Sequence, residues 1–310
     1  MALVKLNKKG IFFTMMAIAL LSLFIISYST YSVFQGREAI SKRIKTMNDF
    51  IFLVEEDLSR QLYISGFRII FLFENRIIET GEYIDDVNFS FQESLYNGTL
   101  YGVEKEIMQG VTMDGIADSL NEKALKINAN VSLIDTSVEI MQEDAWNVLL
   151  KFEGTLLVQD KGGLVLWNKT HQDFLYIPVE NFKDPLYLVN TYGHMSHDIN
   201  KTPYEVFVSG NNVSNLSAHL MNFYYRESSS APSFLKRLEG DISADVNGIE
   251  SFVYVPNLPS GVSVLQKSDL DYIYFSANNP SSYKIQGMPS WFELDDDALV
   301  RYGAEGLKIV

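Results

Sequence analysis

The sequence contains no cysteine, and basic residues are scarce relative to acidic ones. Without cysteine the chain cannot form disulfides, zinc–thiolate sites or iron–sulfur clusters, and it has no cysteine nucleophile. With 25 Lys and Arg against 39 Asp and Glu, and a net charge of −14, it also lacks the basic surface that neutralises phosphates. We therefore expect no nucleic-acid partner.

Common catalytic motifs are missing as well. The chain has no G-x-S-x-G, no glycine-rich phosphate loop and no H-E-x-x-H. Carboxylates are abundant, but no spacing between them singles out a catalytic pair. We predict a protein that is not an enzyme and that binds no cofactor.

Three stretches contain residue types that bind metal ions. "HMSHD" at 194–198 has no second cluster, so we interpret it as a surface loop. "DISADVNG" at 241–248 resembles a calcium loop, but its twelfth position would be Tyr254 instead of glutamate, so a turn explains it better. The acids at 295–297 could also hold calcium, but they favour the start of a helix through its dipole, which needs no ion. We expect no metal site at any of the three.

The N-terminal run is long and apolar. Residues 11–35 carry no charge, and this length of helix, about 36 Å, is enough to cross a bilayer. "SYSTYS" at 27–32 is a poor match to a signal-peptidase site, and Tyr28 and Tyr31 suit a membrane interface. We predict a transmembrane helix that contacts the lipid bilayer through residues 11–35.

Flanking charge does not orient this helix, because lysines before it are balanced by basic residues at 37–45. The Asn-x-Ser/Thr sequons downstream indicate the orientation instead, since glycan acceptors belong outside the cell. We predict a single-pass cell-membrane protein with a basic cytoplasmic leader at 1–10 and a large extracellular domain. An unglycosylated Asn-rich surface and the inverted topology stay open as alternatives. The seven predicted glycosylation sites are Asn88, Asn97, Asn130, Asn168, Asn200, Asn212 and Asn215.

The stretch "KKGIFFTMMAIALL" (8–21) resembles the class III leader of archaeal type IV pilin-like surface proteins. The resemblance implies that a prepilin-type peptidase recognises Lys9, Gly10 and Ile11 and cuts the bond between Gly10 and Ile11. It also implies that other pilin-like subunits are partners. One departure is Met15, where bacterial pilins usually carry glutamate. An uncleaved anchor with a basic flank is the alternative.

An amphipathic stalk helix is predicted over 36–80, continuous with the membrane helix. Its apolar stripe runs for barely three heptads, so we expect it to pack on the protein's own globular domain and not in a coiled coil. "FRIIFLFENRII" at 67–78 continues the helix, and "TGEYIDD" at 80–86 ends it. The predicted packing residues are Ile40, Ile44, Met47, Ile51, Val54 and Leu58.

The remaining chain predicts an α+β fold in which a helical insert at 81–128 precedes a β-rich antiparallel domain at 129–310 with flanking helices. Thr112 is a candidate helix N-cap, and Lys161–Gly163 predicts a hairpin turn. Further strands are predicted at 174–179, 248–255 and 270–276, and a helix at 217–225.

Two interpretations of function follow. In the first, the protein is a non-catalytic pilin-like surface protein, a candidate minor subunit of a type IV pilus-like filament whose N-terminal helix mediates assembly. In the second, it is a permanently anchored bitopic envelope protein whose ectodomain binds another surface component or an extracellular ligand.

Overall fold

A computed structural model describes residues 8–259, 262 and 266–309 of the chain, which adopts an α+β fold. The first seven residues of the predicted leader lie outside the described residues. Three 3₁₀ turns, at Glu106–Met108, Val255–Asn257 and Glu305–Leu307, accompany the α-helices. The α-helices are α1 (Lys8–Thr80), α2 (Val87–Asn97), α3 (Met113–Leu125), α4 (Pro185–Asn190), α5 (Ser214–Met221), α6 (Phe234–Glu239), α7 (Asp271–Tyr274) and α8 (Asp296–Tyr302).

Helix α1 is one uninterrupted helix of 73 residues that joins the predicted membrane and stalk ranges. It can run this far because no proline occurs before Pro178, so every peptide N–H in α1 is able to donate a helical hydrogen bond. At a rise of 1.5 Å per residue, α1 is about 110 Å long. It stops at Gly81, which has a φ of +69° and donates its N–H to the carbonyl of Ile77.

The segment predicted as a helical insert contains α2 and α3 and also a small hairpin. Asp86 caps α2 by accepting from Phe89 N, and Thr112 caps α3 by accepting from Gly115 N. Strands β1 (Thr99–Leu100) and β2 (Val103–Glu104) form the hairpin between the two helices.

Three long antiparallel strands form the main sheet, in the order β3-β4-β5. The turn after β4 is the predicted one, and Gly163 in it has a φ of +72°, which glycine adopts at low cost. Alternate residues of β4 are buried, including Val148, Leu150 and Phe152, because one face of the sheet covers α1. The strands are β3 (Ala129–Asp144), β4 (Asn147–Asp160) and β5 (Leu166–Pro178).

Beyond β5 the strands are short and irregular loops dominate, so the prediction of a β-rich fold over the whole of 129–310 holds mainly for its first fifty residues. One of the pairs, β6 with β7, is parallel, whereas we expected antiparallel pairing. The strands are β6 (Asn200–Lys201), β7 (Tyr224–Glu227), β8 (Ile249–Glu250), β9 (Ser282–Ile285), β10 (Glu293–Asp295) and β11 (Lys308–Ile309).

Two strand predictions in this region are wrong in detail. The range 248–255 contains only the two-residue strand β8, and 270–276 contains the helix α7. Over so short a range, alternating aromatics fit one helical turn as well as a strand. The tertiary contacts of Asp271, the first residue of α7, decide between the two. The helix predicted at 217–225 begins earlier, at Ser214, and gives way to β7 at Tyr224.

The buried apolar side chains form two clusters. The larger one joins the second half of α1 to the insert, the main sheet and part of the C-terminal region. The smaller one lies within the C-terminal region and is rich in aromatic rings, with Phe207, Phe252, Phe292 and Tyr302 at its centre.

Candidate functional site

The first part of α1 is an exposed apolar helix. Every side chain from Phe12 to Phe34 is exposed, and this segment spans about 34 Å, compared with about 30 Å for a bilayer's hydrocarbon core. Among the residues that the structure describes, α1 is the single helix long and apolar enough to cross a membrane, judged by length and composition.

Two hydroxyl groups in this segment are satisfied within the helix. The hydroxyls of Ser22 and Thr30 donate to the carbonyls of Ile18 and Ile26, at 2.8 and 3.0 Å. A polar group in hydrocarbon needs an internal partner, so these hydroxyls are compatible with a lipid environment.

The residues that resemble a leader-peptidase site lie at the start of α1. The backbone of Lys9, Gly10 and Ile11 is helical. A Cβ added to Gly10 would meet no atom within 4 Å, so packing within this fold does not require glycine there.

The junction between the exposed helix and the folded domain is an ion pair between distant residues. Arg43 Nε donates to Asp160 Oδ1 at 2.9 Å, and Arg43 Nη2 donates to the carbonyl of Asn128 at 3.0 Å. The hydrogen bond from Arg43 lowers the pKa of Asp160. Asp160 ends β4, so this contact attaches the β4–β5 turn to α1.

The predicted packing stripe divides at this junction. Met47, Ile51, Val54 and Leu58 are buried against the domain. Ile40 and Ile44, however, are 42% and 39% exposed, so their assignment as packing residues within this chain is wrong. The contacts of Arg43 with Asp160 and Asn128 mark the edge of the folded domain. Ile40 lies beyond this edge, and Ile44 lies next to it without being covered.

A second apolar stripe on α1 stays partly exposed to solvent, although its Phe67 ring also packs on Phe182 at 5.2 Å. Tyr63, Phe67 and Phe71 are exposed and follow one another at a spacing of four residues. Phe67 and Phe71 also line an open cavity of about 490 Å³. Residues 67–78 were predicted to be helical, but the exposure of this stripe was not predicted.

The seven sequons are distributed over the domain. Six of the asparagines are exposed, and Asn200 in β6 is half-buried. Two of them have side-chain amides that donate to backbone carbonyls, Asn200 to Asp198 at 3.3 Å and Asn215 to Val206 at 2.8 Å. The exposed asparagines are Asn88, Asn97, Asn130, Asn168, Asn212 and Asn215.

The loop at 194–198 lines an open cavity of about 500 Å³. His197 is buried there, with its ring stacked on Phe223 and edge-on to Tyr187, and burial lowers its pKa to about 4. His194 is exposed. Within residues 8–259, 262 and 266–309, no group of three or more His, Asp or Glu side chains is placed to hold a metal ion.

The other two acidic stretches use their carboxylates locally. Asp241 accepts from the N–H of Ser243, and Asp245 accepts from the N–H of Asn247, both as turn-forming bonds. Asp295 accepts from Ala298 N at 3.0 Å and thereby caps α8. The acids at 295–297 therefore lie at a helix N-terminus, as predicted.

A buried charge cluster, which the sequence analysis missed, holds the C-terminal elements together. Arg237 Nη1 donates to Asp184 at 2.6 Å and to Asp271 at 2.9 Å, and all three side chains are fully buried. Tyr225 donates to Asp184 and Ser251 donates to Asp271, both at 2.8 Å. The Asp184-Pro185 pair, typical of a helix start, was the one sequence signal available.

This cluster is suited to structure and not to chemistry on a ligand. Burial raises the pKa of Asp271, while the nearby Arg237 guanidinium opposes this shift. Because the carboxylates bond to arginine, tyrosine and serine, they fix α4, α6 and α7 relative to one another.

Comparison with protein-family models, curated proteins and solved structures gives no match for this chain.

Proposed function

We propose that the protein is a non-catalytic, pilin-like surface protein held in the cell membrane by residues 11–35. In this proposal it is a minor subunit of a type IV pilus-like filament, with its N-terminus in the cytoplasm and its folded domain outside. The observation that carries the proposal is the continuity of α1, which is apolar and exposed in its first half and buried in the domain in its second.

An uninterrupted helix suits a subunit that moves from a bilayer into a filament. The same exposed side chains that favour lipid can pack against the helices of other subunits, and no joint separates them from the domain. The partly exposed stripe of Tyr63, Phe67 and Phe71 offers a further surface for neighbouring subunits along the domain.

Gly10 supports the cleavage that this function needs. Packing within the fold does not constrain residue 10, so the assignment rests on the resemblance of the residues around Gly10 to a class III leader. Gly66 of the same helix provides the contrast, since a Cβ there would lie 2.6 Å from Ile177 Cδ1. Lys9, Gly10 and Ile11 are thus the residues we assign to the prepilin-type peptidase site.

The test is the mature N-terminus of the full-length protein, expressed in a cell that contains a prepilin-type peptidase. We expect N-terminal sequencing and intact mass to give Ile11 as the first residue, and a Gly10→Val variant to keep its leader. Gly36→Val is the matched control, because Gly36 is also an α1 glycine with no atom within 4 Å of an added Cβ. An uncut wild-type chain would contradict the pilin-like function and favour the permanent bitopic anchor.

A further inference from the structure

The β4–β5 turn points toward the exposed apolar helix. Three side-chain contacts show the direction in which the hairpin runs along α1. Asp173 contacts Ser59, and Lys169, closer to the turn, contacts Glu55. Asp160, at the turn itself, contacts Arg43. The hairpin therefore runs along α1 in the direction of its N-terminus, and the turn is the far end of the sheet. Lys161 N donates to the carbonyl of Asn128, which brings the end of α3 to the same place.

This end of the domain lies close to the level of a membrane surface. Arg43, which holds the turn, is nine residues beyond Phe34, or about 14 Å along the helix axis. The polar layer of a bilayer extends about 5–8 Å beyond the hydrocarbon core, and membrane helices tilt by about 20° on average. A tilt toward the sheet brings the turn closer to that layer.

The side chains at this end have the chemistry of an interfacial contact. Leu164 and Leu166 are 55% and 60% exposed, and Leu125 at the end of α3 is also exposed. Lys126 and Lys161 beside them are exposed. Apolar side chains flanked by lysines are typical of segments that lie on anionic lipid surfaces.

The charges at this end of the domain also suit contact with a membrane surface. Arg37, Lys42 and Lys45 of α1 lie beside the same end, where Glu38 is paired with Lys42 at 2.7 Å and Asp160 with Arg43. The chain as a whole carries a net charge of −14. A basic end on an acidic protein, next to its apolar helix, matches an anionic membrane surface.

We propose that Leu125, Lys126, Lys161, Leu164 and Leu166, here called the docking tip, form a second membrane contact that rests on the lipid surface around α1. The inference depends on the proposed membrane anchoring. The tip has five side chains, whereas one side of a stable protein interface uses about 20–30 residues. A contact tethered to the membrane by α1 needs little intrinsic affinity, because its effective concentration at the surface is high.

The absence of cysteine from the chain makes a direct test possible, since each introduced cysteine is unique. Full-length Leu164→Cys is labelled with an environment-sensitive fluorophore and reconstituted into vesicles of equal phosphatidylcholine and phosphatidylglycerol. We expect a blue-shifted emission and quenching by nitroxide-bearing lipids. Val246→Cys is the matched control, an exposed valine in the turn-forming acidic stretch at 241–248.

Phe24→Cys, in the middle of the exposed apolar helix, tests the membrane anchor separately from the lipid contact of the docking tip. If lipid nitroxides quench Phe24→Cys but leave Leu164→Cys as bright as Val246→Cys, the docking tip is wrong and the anchor stands. If they quench neither, the anchoring itself is wrong.

A second variant tests the mechanism without altering the tip. Arg43→Gln in the Leu164→Cys background releases the turn from α1, so the blue shift and the lipid quenching should decrease. An unchanged signal would contradict the role that we assign to the Arg43–Asp160 pair. Vesicles of phosphatidylcholine alone should weaken the signal too, because the lysines then have no anionic partner.

Discussion

Gly66 of α1 lies directly against Ile177 of β5, so closely that a Cβ on Gly66 would be 2.6 Å from Ile177 Cδ1 and 2.8 Å from Leu150 Cδ1. Helix and sheet reach this distance because residue 66 has no side chain. The second half of α1 is thereby an integral part of the main core, although its first half is exposed.

Gly66→Ala should destabilise the folded domain despite the higher helix propensity of alanine. The atoms that the new methyl would meet are side-chain ends, but Ile177 and Leu150 are fully buried and have no solvent to move into. Overpacking of this kind costs about 1–3 kcal/mol, whose upper part outweighs the gain of about 1 kcal/mol from replacing a helical glycine. Guanidinium unfolding of the full-length protein in detergent, followed by tryptophan fluorescence, measures this change. Gly36→Ala is the control and should not destabilise the domain; equal stability of both variants would contradict the packing argument.

Arg237→Met should be strongly destabilising. It leaves Asp184 and Asp271 buried without their shared cation, and removal of one partner from a buried ion pair costs about 3–5 kcal/mol. The same unfolding measurement checks this, with Lys284→Met on the exposed side of β9 as a control that should change little. A small effect at Arg237 would mean that the cluster does not hold α4, α6 and α7 together.

His197 should make the protein less stable as the pH falls. Burial lowers its native pKa to about 4, below the value of about 6.5 expected for an unfolded chain. Between these values the unfolded state binds a proton that the native state does not, so stability is full above about pH 6.5 and decreases toward pH 4. From pH 7 to pH 5 this loss is about 2 kcal/mol.

His197→Phe should therefore reduce the difference in unfolding free energy between pH 7 and pH 5 by about 2 kcal/mol. Phenylalanine keeps the ring between Phe223 and Tyr187 while removing the titrating nitrogens. His194→Phe is the matched control, because its exposed ring is solvated in both states. The same pH dependence in His197→Phe as in the wild type would rule out His197 as its source.

The elements that could be predicted are those whose formation depends on residues close together in the sequence. Helix α1 follows from a long apolar pattern free of proline, and the β4–β5 hairpin follows from alternating residues around Gly162 and Gly163. The helix caps at Thr112 and Asp295 could be predicted in the same way, because a capping side chain bonds to backbone only three residues away.

The predictions failed where contacts between residues far apart in the sequence determine the local structure or its burial. Asp271 begins a helix because its carboxylate bonds to Arg237 and to Ser251, which are 34 and 20 residues away along the chain. The exposure of Ile40 depends on where the domain ends along α1, which is marked by the contact of Arg43 with Asp160, 117 residues later. No periodicity encodes such pairings, so the end of the packing stripe could not be predicted.

Glycan occupancy should follow the exposure of the seven asparagines if the domain faces outward. Asn88, Asn97 and Asn168 are exposed, whereas Asn200 is half-buried in β6 and its amide bonds to the carbonyl of Asp198, so we expect Asn200 to be the least occupied. Glycopeptide mass spectrometry of protein from its native membrane measures this. Thr170→Ala, which removes the Asn168 sequon alone, should abolish one glycan and serve as the control. Bare peptides at all seven positions would remove the main support for an extracellular domain, because the flanking charges do not decide the orientation.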